Sequence, residues 1–168
     1  MRAVSAGRRG RGAMAAAEKA PILVLGIGNI LLRDEGAGVR AIEALSAAAL
    51  PPGVETLDGG TSGADLLDVI AGRRRLIVVD AVDADAAPGT IVRFTPEELA
   101  ADPARTVSLH EFGLLETLAA ARLLGCAPDD VVVIGVQPKD VHAGLALSEE
   151  VAAALPRAVA AVVAEIAR

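Results

Sequence analysis

Short apolar runs alternate along this chain with segments whose apolar residues recur at helical spacing. Such runs, bounded by Gly, Pro or Asp, are typical of buried strands. The pattern predicts five strands, at residues 22–25, 54–57, 76–79, 90–94 and 130–136. The third run, Leu-Ile-Val-Val, is the most apolar of the five, and Asp80 follows it directly.

The segments between these runs carry helical periodicity or helix-start signals. Val39, Ile42 and Leu45 fall on one helical face. The predicted helices are one through residues 39–50, a short one at 64–71, one that begins after Thr95 with Glu98 as its capping-box partner, one at 113–124, and a terminal helix capped by Ser148 that reaches about residue 167. Each predicted helix lies between or after the predicted strands.

Strands separated by helices favour right-handed crossovers and a sheet covered on both faces. The predicted fold is therefore a single three-layer α/β domain over residues 21–168, with a twisted, mostly parallel sheet of about five strands between helices. No repeat or linker interrupts this stretch. Ligands of such sheets bind beyond the carboxyl ends of the strands, which directs attention to the residues that follow each strand.

The first 20 residues differ in composition from the rest of the chain. They hold five basic residues and one acidic residue, and they lack the apolar segment of a secretory signal. We expect residues 1–20 to form a disordered N-terminal extension, or Met14 to be the true first residue. An amphipathic transit peptide is the alternative left open.

Composition excludes several classes of partner. The remaining 148 residues hold 11 basic and 21 acidic residues, and aromatic residues make up 1% of the chain. This composition opposes binding to phosphate backbones and to stacked bases. No apolar run approaches the roughly 18–20 residues of a membrane span, and Cys126 is a single cysteine, which excludes an internal disulfide. We expect a cytoplasmic protein that binds neither nucleic acid nor membrane.

Three carboxylates follow the ends of predicted strands. Glu35 lies in the turn after the first strand, Asp58 follows the second and Asp80 the third. Two like charges about 4 Å apart repel by roughly 4 kcal/mol at an effective dielectric of 20, so a crevice that collects all three needs a proton, donors or a cation. Two simpler interpretations stay open: Asp34 and Glu35 complement a helix dipole, or Asp58 forms an Asx turn.

The chain contains two histidines. His110 precedes a predicted helix, where histidine is usually a cap or a surface residue. Together with Glu35 and Asp80, however, it would supply a mixed carboxylate and imidazole ligand set for a borderline divalent ion. His142 has no predictable partner, and we expect it at the surface.

Several motifs, taken in order, resemble the nickel–iron hydrogenase maturation endopeptidases. The matching segments are Gly26-Ile27-Gly28-Asn29 with Asp34-Glu35-Gly36, Leu57-Asp58-Gly59-Gly60-Thr61, Val79-Asp80-Ala81 with Pro88-Gly89, Leu109-His110 with Gly113-Leu114, and Gly135-Val136-Gln137-Pro138 with Gly144-Leu145 and Leu147-Ser148. They occur in the family's order from about residue 21 to the C-terminus. No single segment is decisive, but five in register are specific.

The resemblance implies an endopeptidase that removes a C-terminal extension from a hydrogenase large-subunit precursor after nickel insertion. The family's metal-contacting residues correspond to Glu35, Asp80 and His110, and a further acid lining the same cleft corresponds to Asp58. The nickel would arrive with the precursor, which is the expected partner, and the enzyme itself is expected to be a monomer. The basic extension is a departure, since family members begin almost at the first strand.

The chemistry of cleavage stays open between two routes. Asp80, Glu35 or Asp58 could activate water as a general base, or nickel carried by the precursor could polarise the carbonyl, and we favour the nickel-assisted route. An aspartic-type protease would show paired Asp-Thr-Gly signatures, which this sequence lacks.

Two other classes of function compete with the peptidase. One is a non-enzymatic chaperone that binds nickel or the precursor in the same cleft. The other is a nucleotide-binding α/β module, since Gly26-Ile27-Gly28 begins like a dinucleotide fingerprint. Leu31 stands where that fingerprint requires its third glycine, which disfavours the nucleotide-binding module.

Overall fold

The computed structural model describes residues 19–61, 66–101 and 109–168, with the side chains of residues 100 and 109–112 excepted. The strands are β1 (Ile22–Ile27), β2 (Val54–Gly60), β3 (Arg75–Ala81), β4 (Ile91–Phe94) and β5 (Asp130–Val136). The helices are α1 (Ala37–Ser46), α2 (Leu66–Ile70), α3 (Pro96–Ala101), α4 (Leu109–Leu123) and α5 (Glu149–Ile166), and a 3₁₀ turn spans Arg33–Gly36. Residues 1–18 of the predicted extension lie outside the described residues.

The five strands form one sheet in the order β2-β1-β3-β5-β4. The pairs β1–β2, β1–β3 and β3–β5 are parallel, whereas β4 runs antiparallel to β5 at the edge. No helix separates β3 from β4, so the chain turns back and β4 runs opposite to β3 and to β5, which is parallel to β3. The predicted mostly parallel sheet of five strands is confirmed.

Alternating side chains of β1 define the two faces of the sheet. Leu23 and Leu25 pack in a cluster with residues of α2 and α4. Val24 packs on the other face, with residues of α1 and α5. The sheet is therefore covered on both sides, which confirms the predicted three-layer arrangement. We call these the α2/α4 face and the α1/α5 face.

Two predicted helix caps form as expected. The Glu98 backbone N–H donates to Thr95 Oγ1 at 3.2 Å, and the Thr95 N–H donates to Glu98 Oε2 at 2.7 Å, which is a complete capping box. Ser148 caps α5 by accepting from the Val151 N–H at 3.4 Å.

One helix starts earlier than predicted. The pattern placed the start of this helix at residue 113, but α4 begins at Leu109. Gly113 therefore lies inside the helix, where a glycine costs only about 1 kcal/mol relative to alanine and does not end it. His110 consequently belongs to the first turn of α4 rather than to the loop before it.

A buried carboxylate ties the last turn of α5 to two strands. Glu165 is 3% exposed, and it accepts from Arg75 Nη2 at 2.7 Å and from Arg93 Nε at 2.7 Å. Arg168 adds a third contact, at 2.9 Å. The hydrogen bond from Arg93 is the largest influence on the pKa of Glu165, and with the surrounding arginine charges it holds that pKa below its ordinary value despite burial.

No helix in the described ranges combines the length and apolarity needed to cross a membrane.

Candidate functional site

The turn after β1 folds back on its own strand because of one glycine. Gly28 has φ +139°, and a Cβ placed there would lie 1.9 Å from the backbone oxygen of Glu35. Glycine alone tolerates both conditions. Asn29 Oδ1 accepts from the Leu31 N–H at 3.0 Å. The turn thereby brings Glu35 to the carboxyl end of β1.

The start of α1 packs directly on the sheet. A Cβ at Gly38 would lie 2.2 Å from the carbonyl oxygen of Val79 and 2.3 Å from that of Ile27. The helix therefore meets the ends of β1 and β3 with no side chain between them. The 3₁₀ turn that holds Glu35 also contacts β3, the strand that carries Asp80.

Glu35 is a half-buried carboxylate. Within the described residues, its side chain has no hydrogen-bond or ion-pair partner. A carboxylate that is held at the strand ends and has no partner among the described residues can accept a cation, a donor or a proton from a bound molecule. Its surroundings therefore suit a ligand or a base.

Asp80 is 2% exposed and lies near the end of β3. Its Oδ1 accepts from the Ala81 N–H at 2.8 Å. Val78 belongs to the α2/α4 face, and successive residues of a strand alternate between faces, so Asp80 lies on the α2/α4 face as well. This is the face on which α4 packs, and His110 lies in the first turn of that helix.

Asp58 lies on the opposite face of the sheet. It pairs with Gly26, which in turn pairs with Val79, one residue before Asp80. One step along a strand changes the face, so Asp58 lies on the α1/α5 face. Its Oδ1 accepts from the Gly60 N–H at 2.8 Å, which confirms the Asx turn.

The exposed Asp58 lines a pocket of about 330 Å³. The other lining residues are Gly28, Asn29, Ile30, Leu31, Val39, Gly60 and Thr61. Neither Glu35 nor Asp80 belongs to this lining. This pocket is therefore not a cavity that the three carboxylates share.

The expectation that one crevice collects three carboxylates stays a prediction, and the structure places Asp58 and Asp80 on opposite faces of the sheet. The described residues contain no group of three His, Cys, Asp or Glu side chains placed to hold an ion. Strand alternation places Asp58 and Asp80 on different faces of the sheet, which is consistent with this absence. The set of Glu35, Asp80 and His110 stays a prediction, since the His110 side chain lies outside the described residues.

Asp34 is the residue whose role sequence reasoning missed. It is 0% exposed, and it accepts four hydrogen bonds: from the N–H groups of Lys139 at 2.9 Å, Asp140 at 2.9 Å and Ser148 at 2.7 Å, and from Ser148 Oγ at 2.8 Å. Burial raises the pKa of Asp34, but these donors together outweigh burial and lower that pKa. The helix-dipole interpretation gave no sign of this network, because all the donors come from more than 100 residues away.

Gln137 holds the segment that follows β3. It is buried, and its Oε1 accepts from the Ala84 N–H at 2.7 Å while its Nε2 donates to Asp83 Oδ1 at 3.1 Å. The only sequence signal for it was its place in the Gly-Val-Gln-Pro segment. Gln137 orders the chain that leaves the strand end where Asp80 lies.

His142 is at the surface, as predicted, but it has a partner. Its side chain is 91% exposed, and its Nδ1 lies 2.8 Å from Asp140 Oδ1. Asp140 also accepts from the His142 N–H and from Arg33 Nη1. The backbone and side chain of His142, then Arg33, hold the pKa of Asp140 well below its ordinary value.

Comparison with known proteins bears on this fold. A family profile described as hydrogenase maturation protease matches residues 39–165. Hydrogenase 2 maturation protease of Escherichia coli K12 is 42% identical over 147 residues, which cover 86% of this chain and 90% of that protein. Hydrogenase expression/formation protein HupD of Rhodobacter capsulatus is 41% identical over 148 residues, covering 86% of this chain and 70% of that protein.

Solved structures give the same result. The hydrogenase maturating endopeptidase HybD from E. coli aligns with a TM-score of 0.79 at 41% identity, over 86% of this chain and 91% of that one. The NiFe hydrogenase maturation protease HybD from Thermococcus kodakarensis aligns with a TM-score of 0.72 at 29% identity, over 88% and 99%.

The fold and these similarities define the class of the protein as an α/β peptidase. The chain belongs to the hydrogenase maturation protease family. Membership favours the peptidase over the two other functions expected from the sequence, the binding chaperone and the nucleotide-binding module.

Proposed function

We propose that this peptidase removes the C-terminal extension of a nickel–iron hydrogenase large-subunit precursor after nickel insertion, and that it recognises the nickel bound in the precursor. The relatives named above support the class of substrate. The observation that carries the proposal is the placement of two carboxylates at neighbouring strand ends: Glu35, which has no side-chain partner among the described residues, and the buried Asp80.

Glu35, Asp80 and His110 are the proposed contacts to the precursor's nickel. Carboxylate oxygen and imidazole nitrogen suit a borderline divalent ion. Because nickel belongs to the precursor, the enzyme needs only a partial ligand set of its own. An incomplete site of this kind would distinguish a nickel-loaded precursor from an empty one.

Hydrolysis requires a water molecule that attacks the scissile carbonyl carbon while a base takes its proton and the leaving amine gains one. Asp80 or Glu35 is the proposed proton acceptor. Nickel in the precursor would polarise the carbonyl oxygen and lower the barrier further. Asp58, in the neighbouring pocket, is proposed to contact the precursor chain and not the metal.

We propose further that the enzyme acts as a monomer in the cytoplasm.

The test compares two preparations of one precursor, one loaded with nickel and one made without it. Each is incubated with the purified enzyme, and the mass of the large subunit is followed over time. We expect loss of the C-terminal extension from the loaded precursor alone. Equal rates for both preparations would refute recognition of nickel, and an unchanged mass in both would refute the processing function.

A further inference from the structure

Two adjacent carboxylates in the 3₁₀ turn have opposite surroundings. Asp34 is fully buried and its oxygens accept four hydrogen bonds. Glu35 is half-buried, and the described residues supply it with no partner. A buried carboxylate is tolerated only when donors replace its lost water, and here they do. The carboxylate of Asp34 is therefore hydrogen-bonded within the protein, whereas the carboxylate of Glu35 can contact a bound molecule.

All four donors to Asp34 come from residues 139–148, which we call the latch loop. Backbone hydrogen bonds join the same two segments: the Asp34 N–H to Asp140 O at 3.1 Å, the Arg33 N–H to Gly144 O at 2.9 Å, and the Gly144 N–H to Leu31 O at 2.9 Å. The 3₁₀ turn and the latch loop thus form one hydrogen-bonded unit.

The 3₁₀ turn contacts β3 and α1, but most of its hydrogen bonds go to the latch loop. Within the turn, the Glu35 N–H donates to Leu32 O at 3.1 Å. Arg33 has φ +49°, a left-handed conformation that a non-glycine residue keeps only when its surroundings impose it. The contacts to the latch loop supply that restraint.

We propose that Asp34 is a positioning residue, which holds Glu35 at the strand ends by anchoring the 3₁₀ turn to the latch loop. The inference rests on the proposed function, in which Glu35 meets the precursor's nickel. A catalytic or ligating side chain must be held within about 0.5 Å of its working position. A misplacement of about 1 Å lowers reaction rates by roughly 100-fold.

Asp34→Asn tests the anchor with almost no change in shape. Oδ2 accepts from Lys139, Asp140 and the Ser148 hydroxyl, while Oδ1 accepts from the Ser148 N–H. In either orientation, the amide –NH₂ of asparagine therefore faces a donor. The variant loses at least one hydrogen bond and gains a donor–donor contact.

Glu165→Gln is the matched control. Glu165 is also a buried carboxylate with several donors, but it lies at the far end of α5 from Ser148, about 25 Å away at 1.5 Å per residue. Both variants remove a buried charge and lower stability. A purely structural role for Asp34 predicts the same kinetic behaviour for both.

The experiment measures kcat and KM for processing of nickel-loaded precursor, at a temperature where melting curves show each variant folded. Hydrogen exchange at the amides of residues 33–36 is measured in the same samples. We expect Asp34→Asn to lower kcat by roughly 10- to 100-fold and to speed exchange in the turn. Glu165→Gln should keep the wild-type kcat and the wild-type exchange at these amides.

Ser148→Ala is the second variant, which removes one of the four hydrogen bonds to Asp34 and leaves the carboxylate intact. It keeps the inference testable if Asp34→Asn does not fold, and we expect a smaller decrease in kcat. Wild-type kcat in every folded variant, or an equal decrease in Glu165→Gln, would overturn the positioning role. Unchanged exchange at residues 33–36 would overturn it as well.

Glu35→Gln separates this inference from the proposed function. If Glu35→Gln processes the precursor as fast as the wild type, the proposed role of Glu35 as a nickel contact or proton acceptor is refuted, and with it that part of the proposed function. If Glu35→Gln is inactive while Asp34→Asn is fully active, only the positioning role is overturned. Loss of activity in both, with Glu165→Gln active, supports the inference.

Discussion

Replacing Gly38 with alanine should damage both stability and activity, although helix propensity alone predicts the opposite. Gly38 is the second residue of α1, where alanine is normally favoured over glycine by about 1 kcal/mol. Here the added methyl group would lie 2.2 Å from Val79 O and 2.3 Å from Ile27 O. Helix propensity predicts a higher melting temperature for Gly38→Ala, whereas the steric clash predicts a lower one. The direction of the measured change in melting temperature therefore decides between the two effects.

The size of the effect follows from the distance. Real Cβ contacts do not fall below 3.0 Å, so the start of α1 must move by about 0.8 Å from the strand ends. Insertions of this kind cost roughly 1–3 kcal/mol. For a domain of this size that corresponds to a melting temperature lower by about 3–10 °C. The displaced helix start carries Glu35 with it, and a shift near 1 Å reduces rate by roughly 100-fold.

The assay pairs a thermal melt with the processing of nickel-loaded precursor. Gly72→Ala serves as the control, because Gly72 has φ +73° and no atom within 4 Å of an added Cβ. That variant should lose about 1 kcal/mol through backbone strain and keep its kcat. A Gly38→Ala variant that melts at or above the wild-type temperature and processes precursor at the wild-type rate would refute the reasoning.

Three further predictions concern single side chains. Asp80→Asn keeps the oxygen that accepts from Ala81, so this variant should fold yet fail to process nickel-loaded precursor. Asp130→Asn is its control at the other end of the sheet. Near-wild-type processing by Asp80→Asn would remove the Asp80 carboxylate from the mechanism. The pKa of Glu165 lies below its ordinary value of about 4.3, so its ion pairs stabilise the fold above that pH and lose this effect as the pH falls through the lowered pKa. Melting temperatures of wild type and Glu165→Gln should therefore differ near pH 7 and converge as the pH falls through the lowered pKa; a constant difference contradicts this. Arg122→Ala breaks an exposed pair with Glu97 and should cost less than about 1 kcal/mol, so a melting temperature lower by more than about 4 °C would contradict it.

The candidate site was partly visible in the sequence. Glu35, Asp58 and Asp80 were found because each follows a recognisable apolar run, and ligands of parallel sheets bind beyond such strand ends. The sequence alone did not determine whether these strand ends share one crevice. The answer needs the face on which each side chain lies, and the face depends on a register that differs by one residue between Asp58 and Asp80.

The amino-acid sequence by itself determined the local elements and the fold class. The β5 strand, the Thr95–Glu98 capping box and the Ser148 cap follow from short-range patterns of apolar residues and hydrogen-bonding side chains. These patterns act within a few residues. They are therefore legible without knowledge of the rest of the chain.

Only the tertiary structure decided what each carboxylate contacts. Asp34 and Glu35 are neighbours in sequence, yet one is enclosed by donors from residues 139–148 and the other is left without a partner among the described residues. Tertiary packing likewise separated Asp58 from Asp80 and made β4 an antiparallel edge strand. Burial and hydrogen bonding depend on chain segments more than 100 residues apart, and these meet only when the sheet and its helices pack together.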